Sequence, residues 1–287
     1  MSGYGSAAQV KARTDACRPF LKWAGGKRQL LPQLLSRIPH EVNGYFEPFI
    51  GGGALFFAAF RRFKRAVLSD INPELINAYL AVRDHPQALI RDLRKHRYDE
   101  EYYYALRDAD RSRAFARWGS VRRAARLIFL NKTCYNGLYR VNSQGYFNVP
   151  FGRYVDPVIY DADNIMACSR ALKDARIMNG SFDQIAAKAR RGDFVYFDPP
   201  FAPLSKTASF TSYTKFGFND QMQIALRDLC RALDNKGVRF MVSNSSASQV
   251  FEIYSDFFIE RVPAARAINS NGHGRGKIDE VIVRNYR

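Results

Sequence analysis

The run Phe194-Val195-Tyr196-Phe197, followed at once by Asp198-Pro199-Pro200-Phe201, constrains the fold more than any other stretch of the chain. Four large apolar residues read as a buried strand that stops at an acid, two prolines and a ring. Proline has no N–H and fixes its own φ, so two in succession end the ladder and leave a stiff loop at the strand's carboxyl end. In open α/β sheets that edge is where ligands bind. The loop offers a carboxylate, a free backbone carbonyl and a flat ring, a set suited to a planar base that carries an amino group.

The hydrophobic periods upstream and downstream predict the sheet to which this strand belongs. A strand over 44 to 49 precedes Gly51-Gly52-Gly53, an apolar helix runs from Ala54 to about Phe63, and a second strand over 65 to 69 ends at Asp70. That is the opening βαβ of a doubly wound sheet. Further strands are expected near 176 to 179, 193 to 197 and 237 to 243, with a helix near 219 to 234. The last two, near 256 to 262 and 279 to 286, form an antiparallel edge hairpin. Residues 73 to 160 differ in character. Between Arg111 and Val155 there is no acid, while Arg111, Arg113, Arg117, Arg122, Arg123, Arg126, Lys132, Arg140 and Arg153 all fall there. This segment is helical at first and turns polar, aromatic and glycine-rich from Asn131 on, as a looped hairpin does. It reads as an inserted, mainly helical module, 73–160, between two parts of one α/β domain, 1–72 and 161–287. A solvated basic helix is the plainer explanation of the charge run. The interleaved Tyr135, Tyr139, Tyr146 and Phe147 favour nucleic-acid binding.

Composition narrows the partners. The chain has 44 basic and 27 acidic residues among 287, a net charge of +17, which points to a polyanion. No apolar run approaches a membrane span and no signal-peptide core opens the sequence, so a cytoplasmic, nucleoid-associated protein is expected. Cys17, Cys134, Cys168 and Cys230 are widely spaced, as are His40, His85, His96 and His273, a pattern without metal-ligand spacing.

Two glycine-bearing stretches add chemistry. Phe49-Ile50-Gly51-Gly52-Gly53 lies between a strand and a helix, and Asp70 follows Gly51 by 19 residues, near the spacing at which a carboxylate holds ribose hydroxyls. Phe56 occupies the third glycine position of the dinucleotide fingerprint, which argues against a dehydrogenase. A tight structural turn explains the motif equally well. Pro19 to Arg28 combines Trp23, Gly25, Gly26 and Lys27, but Arg28 stands where a phosphate loop needs Ser or Thr.

In order along the chain stand P-F-L-K-W-A-G-G-K, F-E-P-F-x-G-G-G, S-D-I-N, N-K-T-C-Y-N-G-L-Y-R with F-N-V-P-F-G-R-Y, G-S-F and D-P-P-F. Together these resemble the Dam-type DNA adenine-N6 methyltransferases, from about Pro19 to Tyr286. The resemblance implies a Rossmann-like α/β sheet that uses S-adenosylmethionine and an inserted target-recognition domain, acting on double-stranded DNA; a monomer without a metal or a membrane is expected. It places Trp23, Lys27, Phe49, Gly51, Gly53, Asp70, Ser181 and Phe182 around the cofactor, Asp70 on the ribose, with Asp198 serving cofactor and target. Asp198, Pro199, Pro200 and Phe201 become the catalytic loop. Tyr135 and Asn136 fill the gap left by an extruded base, Leu138, Arg140 and Pro150 read neighbouring bases, and Lys22 and Arg153 hold the DNA. In Dam relatives the site is GATC, and an arginine on guanine O6 and N7 with a leucine on the thymine methyl suits that sequence.

The residues agree with that chemistry. Adenine N6 is a poor nucleophile whose lone pair is delocalised into the ring, and a stacked base hides it, so the base must be turned out. Asp198 and the Pro199 carbonyl can each accept one N6 hydrogen while Phe201 stacks on the ring. A cytosine-C5 enzyme needs a Pro-Cys nucleophile, and no Pro precedes a Cys here. Phe201 departs from the family's usual tyrosine. Other readings are a catalytically silent DNA-binding protein of the same fold and a methyltransferase acting on RNA or protein. The basic loop from Arg266 to Lys277 is either a phosphate contact or a plain hairpin.

Overall fold

The computed structural model describes residues 16–23, 25–27, 29–202, 218–265 and 277–287. Most of the basic loop after residue 265, together with Ala24 and Arg28, lies outside the described residues. The chain divides into two compact units. A helical unit comprises 1–26, 51–60 and 72–175, and a sheet unit comprises 27–50, 61–71 and 176–287.

The sheet has seven strands: β1 Tyr45–Glu47, β2 Ala66–Asp70, β3 Ala175–Asn179, β4 Phe194–Phe197, β5 Arg239–Ser245, β6 Phe258–Ala265 and β7 Lys277–Arg284. Their order is β3-β2-β1-β4-β5-β7-β6. β1 pairs in parallel with both β2 and β4, β4 with β5, and β7 runs antiparallel to β5 and β6. This is the doubly wound order with an antiparallel edge hairpin, and the winding reverses between β1 and β4, the switch point at which such sheets bind ligands. β1 is shorter than its apolar pattern suggests, since Pro48 cannot donate to a ladder. Pro263 is tolerated in β6 because that strand lies at the sheet's edge.

β4 is buried along its whole length. Alternation sends Phe46, Val195 and Phe197 into one core with Leu226, Cys230 and Leu233 of the helix Asp220–Asn235 and with Phe240 and Val242 of β5. The same alternation points Tyr45, Glu47, Tyr196 and Asp198 away from that core, onto a second face where polar groups stand among the buried apolar residues Leu68, Phe194 and Met241. There the Tyr45 hydroxyl donates to Glu47 Oε2 at 2.8 Å and the Tyr196 hydroxyl meets Ser243 Oγ at 2.9 Å, so these buried hydroxyls are satisfied.

In the helical unit, Asn72 caps the helix Pro73–Asp84, its Oδ1 accepting from the backbone N–H groups of Glu74 and Leu75. The helix Ser120–Thr133 runs through this unit and is buried almost continuously from Ala124. Phe129, Leu130 and Cys134 at its end share a core with Tyr103, Phe147 and Val149. Two of the nine cations are structural. Arg126 is 5% exposed, pairs with Asp110 at 2.8 Å and donates to the Leu106 and Arg107 carbonyls, and Arg123 pairs with Glu74. The acids that neutralise them lie outside the acid-free window, Asp110 immediately before it and Glu74 well upstream. Beyond Thr133 the chain forms the expected looped hairpin, closed by antiparallel bridges at Cys134 with Phe151 and Val141 with Phe147. Among the described residues no helix is long and apolar enough to cross a membrane.

Candidate active site

Asp198 leaves the carboxyl end of β4 on that second face, two residues after Tyr196. Its Oδ1 lies 2.9 Å from Lys27 Nζ, a lysine only 5% exposed, while Glu280 Oε2 of β7 is 4.0 Å from the same ammonium. Burial pushes the Asp198 carboxyl above the usual carboxylate range, and the charge and hydrogen bond of Lys27 oppose that rise. The Phe201 ring lies over the same ammonium, 4.3 Å from Nζ to the ring centroid. Lys27, Asp198 and Phe201 therefore form one cluster.

The backbone of the loop is held from below. Gln223 Nε2 donates to the Pro200 carbonyl at 3.3 Å, Asn244 Oδ1 accepts from the Ala202 N–H at 3.1 Å, and Ser245 Oγ donates to the Ala202 carbonyl at 2.7 Å. Asn244 Nδ2 in turn donates to Gln223 Oε1 at 3.1 Å. All three side chains are buried. They fix the loop without using Asp198, whose carboxylate stays partly accessible. Sequence reasoning missed all three. The signal for Asn244 and Ser245 is the polar Ser243-Asn244-Ser245 ending of an otherwise apolar β5, while Gln223 comes from the helix Asp220–Asn235.

Phe49 follows β1 at the switch point and stacks on Phe182 at 5.3 Å, with Phe218 edge-on to Phe49 at 5.7 Å. Ser181 is the residue before the short helix Phe182–Ala186. Asp70 ends β2 half-buried, its carbonyl accepting from the Gly180 N–H at 3.2 Å and from Asn179 Nδ2 at 2.9 Å. The β2 end is thus tied to the Gly180-Ser181-Phe182 segment within the sheet unit.

Trp23 and the glycine turn meet in the helical unit. Gly51 has φ +45°, and a Cβ there would lie 2.8 Å from Trp23 Cδ1, so both backbone conformation and space demand glycine. The Gly51 carbonyl accepts from the Tyr79 hydroxyl at 2.9 Å, and Gly53, with φ +69°, leaves no room for a Cβ beside that hydroxyl. Trp23 also stacks on Tyr139 at 5.3 Å.

The expected DNA-contacting residues all lie in the helical unit. Asn131, fully buried at the end of its helix, accepts from the Lys22 N–H at 2.7 Å and donates to the carbonyls of Lys22 and Gly137. This fastens the Lys22 segment to the Tyr135-Asn136-Gly137 turn, in which Asn136 takes φ 55° and Gly137 φ 62°. Tyr135 is 54% exposed, and its N–H donates to the Pro150 carbonyl at 2.9 Å. Lys22 lies over the Tyr154 ring, whose hydroxyl donates to the Cys134 carbonyl at 2.8 Å. Leu138 is half-buried, and Pro150 and Arg153 are exposed. Arg140 Nε donates to Asn148 Oδ1 at 2.7 Å and its Nη2 to the Asn148 carbonyl at 3.0 Å, a clamp that aims the guanidinium from within the hairpin. Asn131 and Asn148 were not singled out by the sequence. Nothing local distinguishes a buried asparagine from an exposed one.

A family model described as D12 class N6 adenine-specific DNA methyltransferase matches residues 23–268. The type II methyltransferase M1.LlaDCHI of Lactococcus lactis subsp. cremoris is 48% identical over 273 residues, covering 94% of this chain and 95% of the relative. The type II methyltransferase M.MjaIII of Methanocaldococcus jannaschii is 44% identical, with 94% and 99% covered. The DNA adenine methylase of Escherichia coli K12 is 35% identical, with 93% and 94% covered.

Proposed function

We propose that this chain, which belongs to the D12 class N6 adenine-specific DNA methyltransferases, takes its methyl group from S-adenosylmethionine and acts on a base turned out of duplex DNA within GATC. The observation that carries the reading is the Asp198 loop: a partly accessible carboxylate at the switch point, on a backbone locked by Gln223, Asn244 and Ser245. Two prolines and three buried side chains hold the acceptors in place before any base arrives, so little reorganisation remains at the moment of transfer.

In this reading Asp198 and the Pro199 carbonyl accept the two N6 hydrogens and turn the nitrogen lone pair out of the ring, while Phe201 supports the base and Pro200 stiffens the loop. Ionised Asp198 is the stronger acceptor and carries no O–H to compete for the site. Burial works against ionisation and Lys27 works for it, which gives the lysine a defined part. The site residues suit S-adenosylmethionine. Phe49 and Phe182 present stacked rings for a purine, Asp70 a carboxylate for a ribose, and the turn at Gly51 and Gly53 a backbone stripped of side chains. Trp23, Lys27 and Ser181 complete the set named for it. When bound, S-adenosylmethionine supplies an electrophilic methyl on a sulfonium. Residues 73–160 form the target-recognition segment between the two parts of the catalytic domain, 1–72 and 161–287. Its Tyr135 and Asn136 fill the vacated stack, Leu138, Arg140 and Pro150 read bases, and Lys22 and Arg153 hold phosphates. The relatives named DNA adenine methylase and the Y-N-G-L-Y-R segment support GATC as the site.

The test is transfer of labelled methyl from S-adenosylmethionine to unmethylated duplexes that carry GATC or a scrambled tetranucleotide. Label on adenine of the first alone is expected, and Asp198→Ala abolishes it while leaving duplex binding in place. Equal label on both duplexes refutes the site assignment, and undiminished transfer by the variant refutes the role of Asp198.

A further inference from the structure

The edge at which β1, β2, β4 and β5 begin carries none of the site residues named above. Parallel pairing of these strands brings the segments ahead of β2, β4 and β5 side by side. Asp193 organises that edge. It is 1% exposed, accepts from Arg65 at 2.7 and 2.8 Å and from the Arg190 N–H at 2.9 Å, and its carbonyl accepts from the Arg239 N–H at 3.2 Å. One acid is therefore already satisfied from within by one arginine.

The remaining cations are not matched in this way. Lys188, Arg190, Arg191 and Lys236, all exposed, line with Ala187 and Ala189 an open depression of about 520 Å³ whose wall has no acidic side chain among the described residues. The Arg191 side chain packs beside Gly237, and Lys236 Nζ donates to the Ala187 carbonyl at 3.3 Å. None of these four cations forms an ion pair among the described residues. Some other surface arginines of the same unit do so: Arg37 with Glu260, Arg227 with Asp228, Arg231 with Asp256. Four unneutralised cations around a floor of alanines repel one another, a cost that a polyanion removes.

We propose that this depression is a second binding face for the DNA backbone, taking phosphates of a duplex segment other than the one that carries the target adenine. DNA is the family's substrate and long DNA always offers such a segment, so duplex phosphate is the occupant for which the charge is matched. Asp198 lies at the opposite end of β4, whose four residues span about 13 Å. The two edges face different ways along the strands, so phosphates seated here are distinct from those around the reacting base. The inference rests on the DNA substrate and not on the assigned role of Asp198.

The experiment compares the full chain with the triple variant Arg190→Gln/Arg191→Gln/Lys236→Gln on two substrates, a single-site duplex of roughly 15 base pairs, about one and a half helical turns, and a long duplex. On the short duplex, methyl transfer and binding are expected to be unchanged, which also shows that the variant is folded. On the long duplex the slope of log affinity against log salt flattens by about 2.7, or about 0.9 for each phosphate no longer neutralised. Between about 50 and 200 mM salt the affinity ratio of parent to variant then changes by about 40-fold. The charge-keeping variant Arg190→Lys/Arg191→Lys keeps the parent slope. Equal slopes for parent and triple variant on long DNA overturn the proposal. Equal losses on both substrates also overturn it, by placing these cations at the primary interface. So does a loss of binding seen with anionic phospholipid vesicles and not with long duplex.

Discussion

Replacing Lys27 by methionine removes a charge that favours ionised Asp198 while keeping most of the buried volume. The ammonium lies 2.9 Å from Asp198 Oδ1 and 4.0 Å from Glu280 Oε2, so the variant leaves two carboxylates without their shared cation. Breaking a fully buried pair costs about 3–5 kcal/mol. Asp198 keeps 20% of its side-chain surface exposed, and solvent reduces the cost to about 2 kcal/mol. The sign follows from the carboxyl. Burial already raises its proton affinity in the folded state, Lys27 holds that rise in check, and without Lys27 protonation occurs at higher pH. In the proposed mechanism the ionised form is the working one, so the acidic limb of kcat/KM is expected to move to higher pH. Deep in that limb the variant is slower by roughly 30-fold, the rate equivalent of about 2 kcal/mol. At alkaline pH much of the rate returns. Stability moves the other way: a carboxyl whose folded-state pKa is raised withdraws stability as pH rises from the unfolded value through the folded one, so the variant's deficit grows toward neutral pH. The assays are a pH profile at saturating methyl donor and urea unfolding at acidic and neutral pH. Lys27→Arg is expected to retain the parent limb. An unmoved limb, or a loss that is uniform across pH, refutes this account of Lys27.

Three further outcomes are expected. Asn131→Ala removes the acceptor for Lys22 N–H and the donors to the Lys22 and Gly137 carbonyls, at about 1 kcal/mol for each bond and so about 3 kcal/mol in urea unfolding. An effect under about 1 kcal/mol would mean that water replaces the side chain readily. Arg140→Ala reduces discrimination between cognate and guanine-substituted duplexes by about 1–3 kcal/mol in kcat/KM, and Asn148→Ala, which frees the guanidinium from its clamp, acts in the same direction by less. Equal losses on both duplexes would show that Arg140 does not read guanine. Gly51→Ala combines φ +45° with a Cβ 2.8 Å from Trp23, and a cost of at least about 1–2 kcal/mol is expected in thermal unfolding; an unchanged midpoint would mean that the turn adjusts freely.

The alternation of apolar runs and turn residues was enough to place the doubly wound sheet and its edge hairpin, because strand burial and proline placement are local properties of the chain. The Asp198 loop was legible for the same reason. What supports it was not. Gln223 and Asn244 reach the loop from residues 23 and 42 positions away along the chain, and Lys27 reaches Asp198 from the far end of the sequence. Charge was misleading in a specific way. The acid-free window suggested nine available cations, yet Glu74 and Asp110, outside it in sequence, neutralise Arg123 and Arg126. Meanwhile the four cations at the opposite sheet edge were spread over two segments and drew no notice. Phe201 shows most directly what geometry adds. As a departure from tyrosine it marks a missing hydroxyl. In the structure its ring face lies over the Lys27 ammonium that also holds Asp198, and a ring face attracts a cation whether or not the ring carries a hydroxyl. Phenylalanine thus keeps the ring contact with Lys27, the lysine whose charge opposes the rise in the Asp198 pKa, and in the proposed function it also keeps a flat surface for a base.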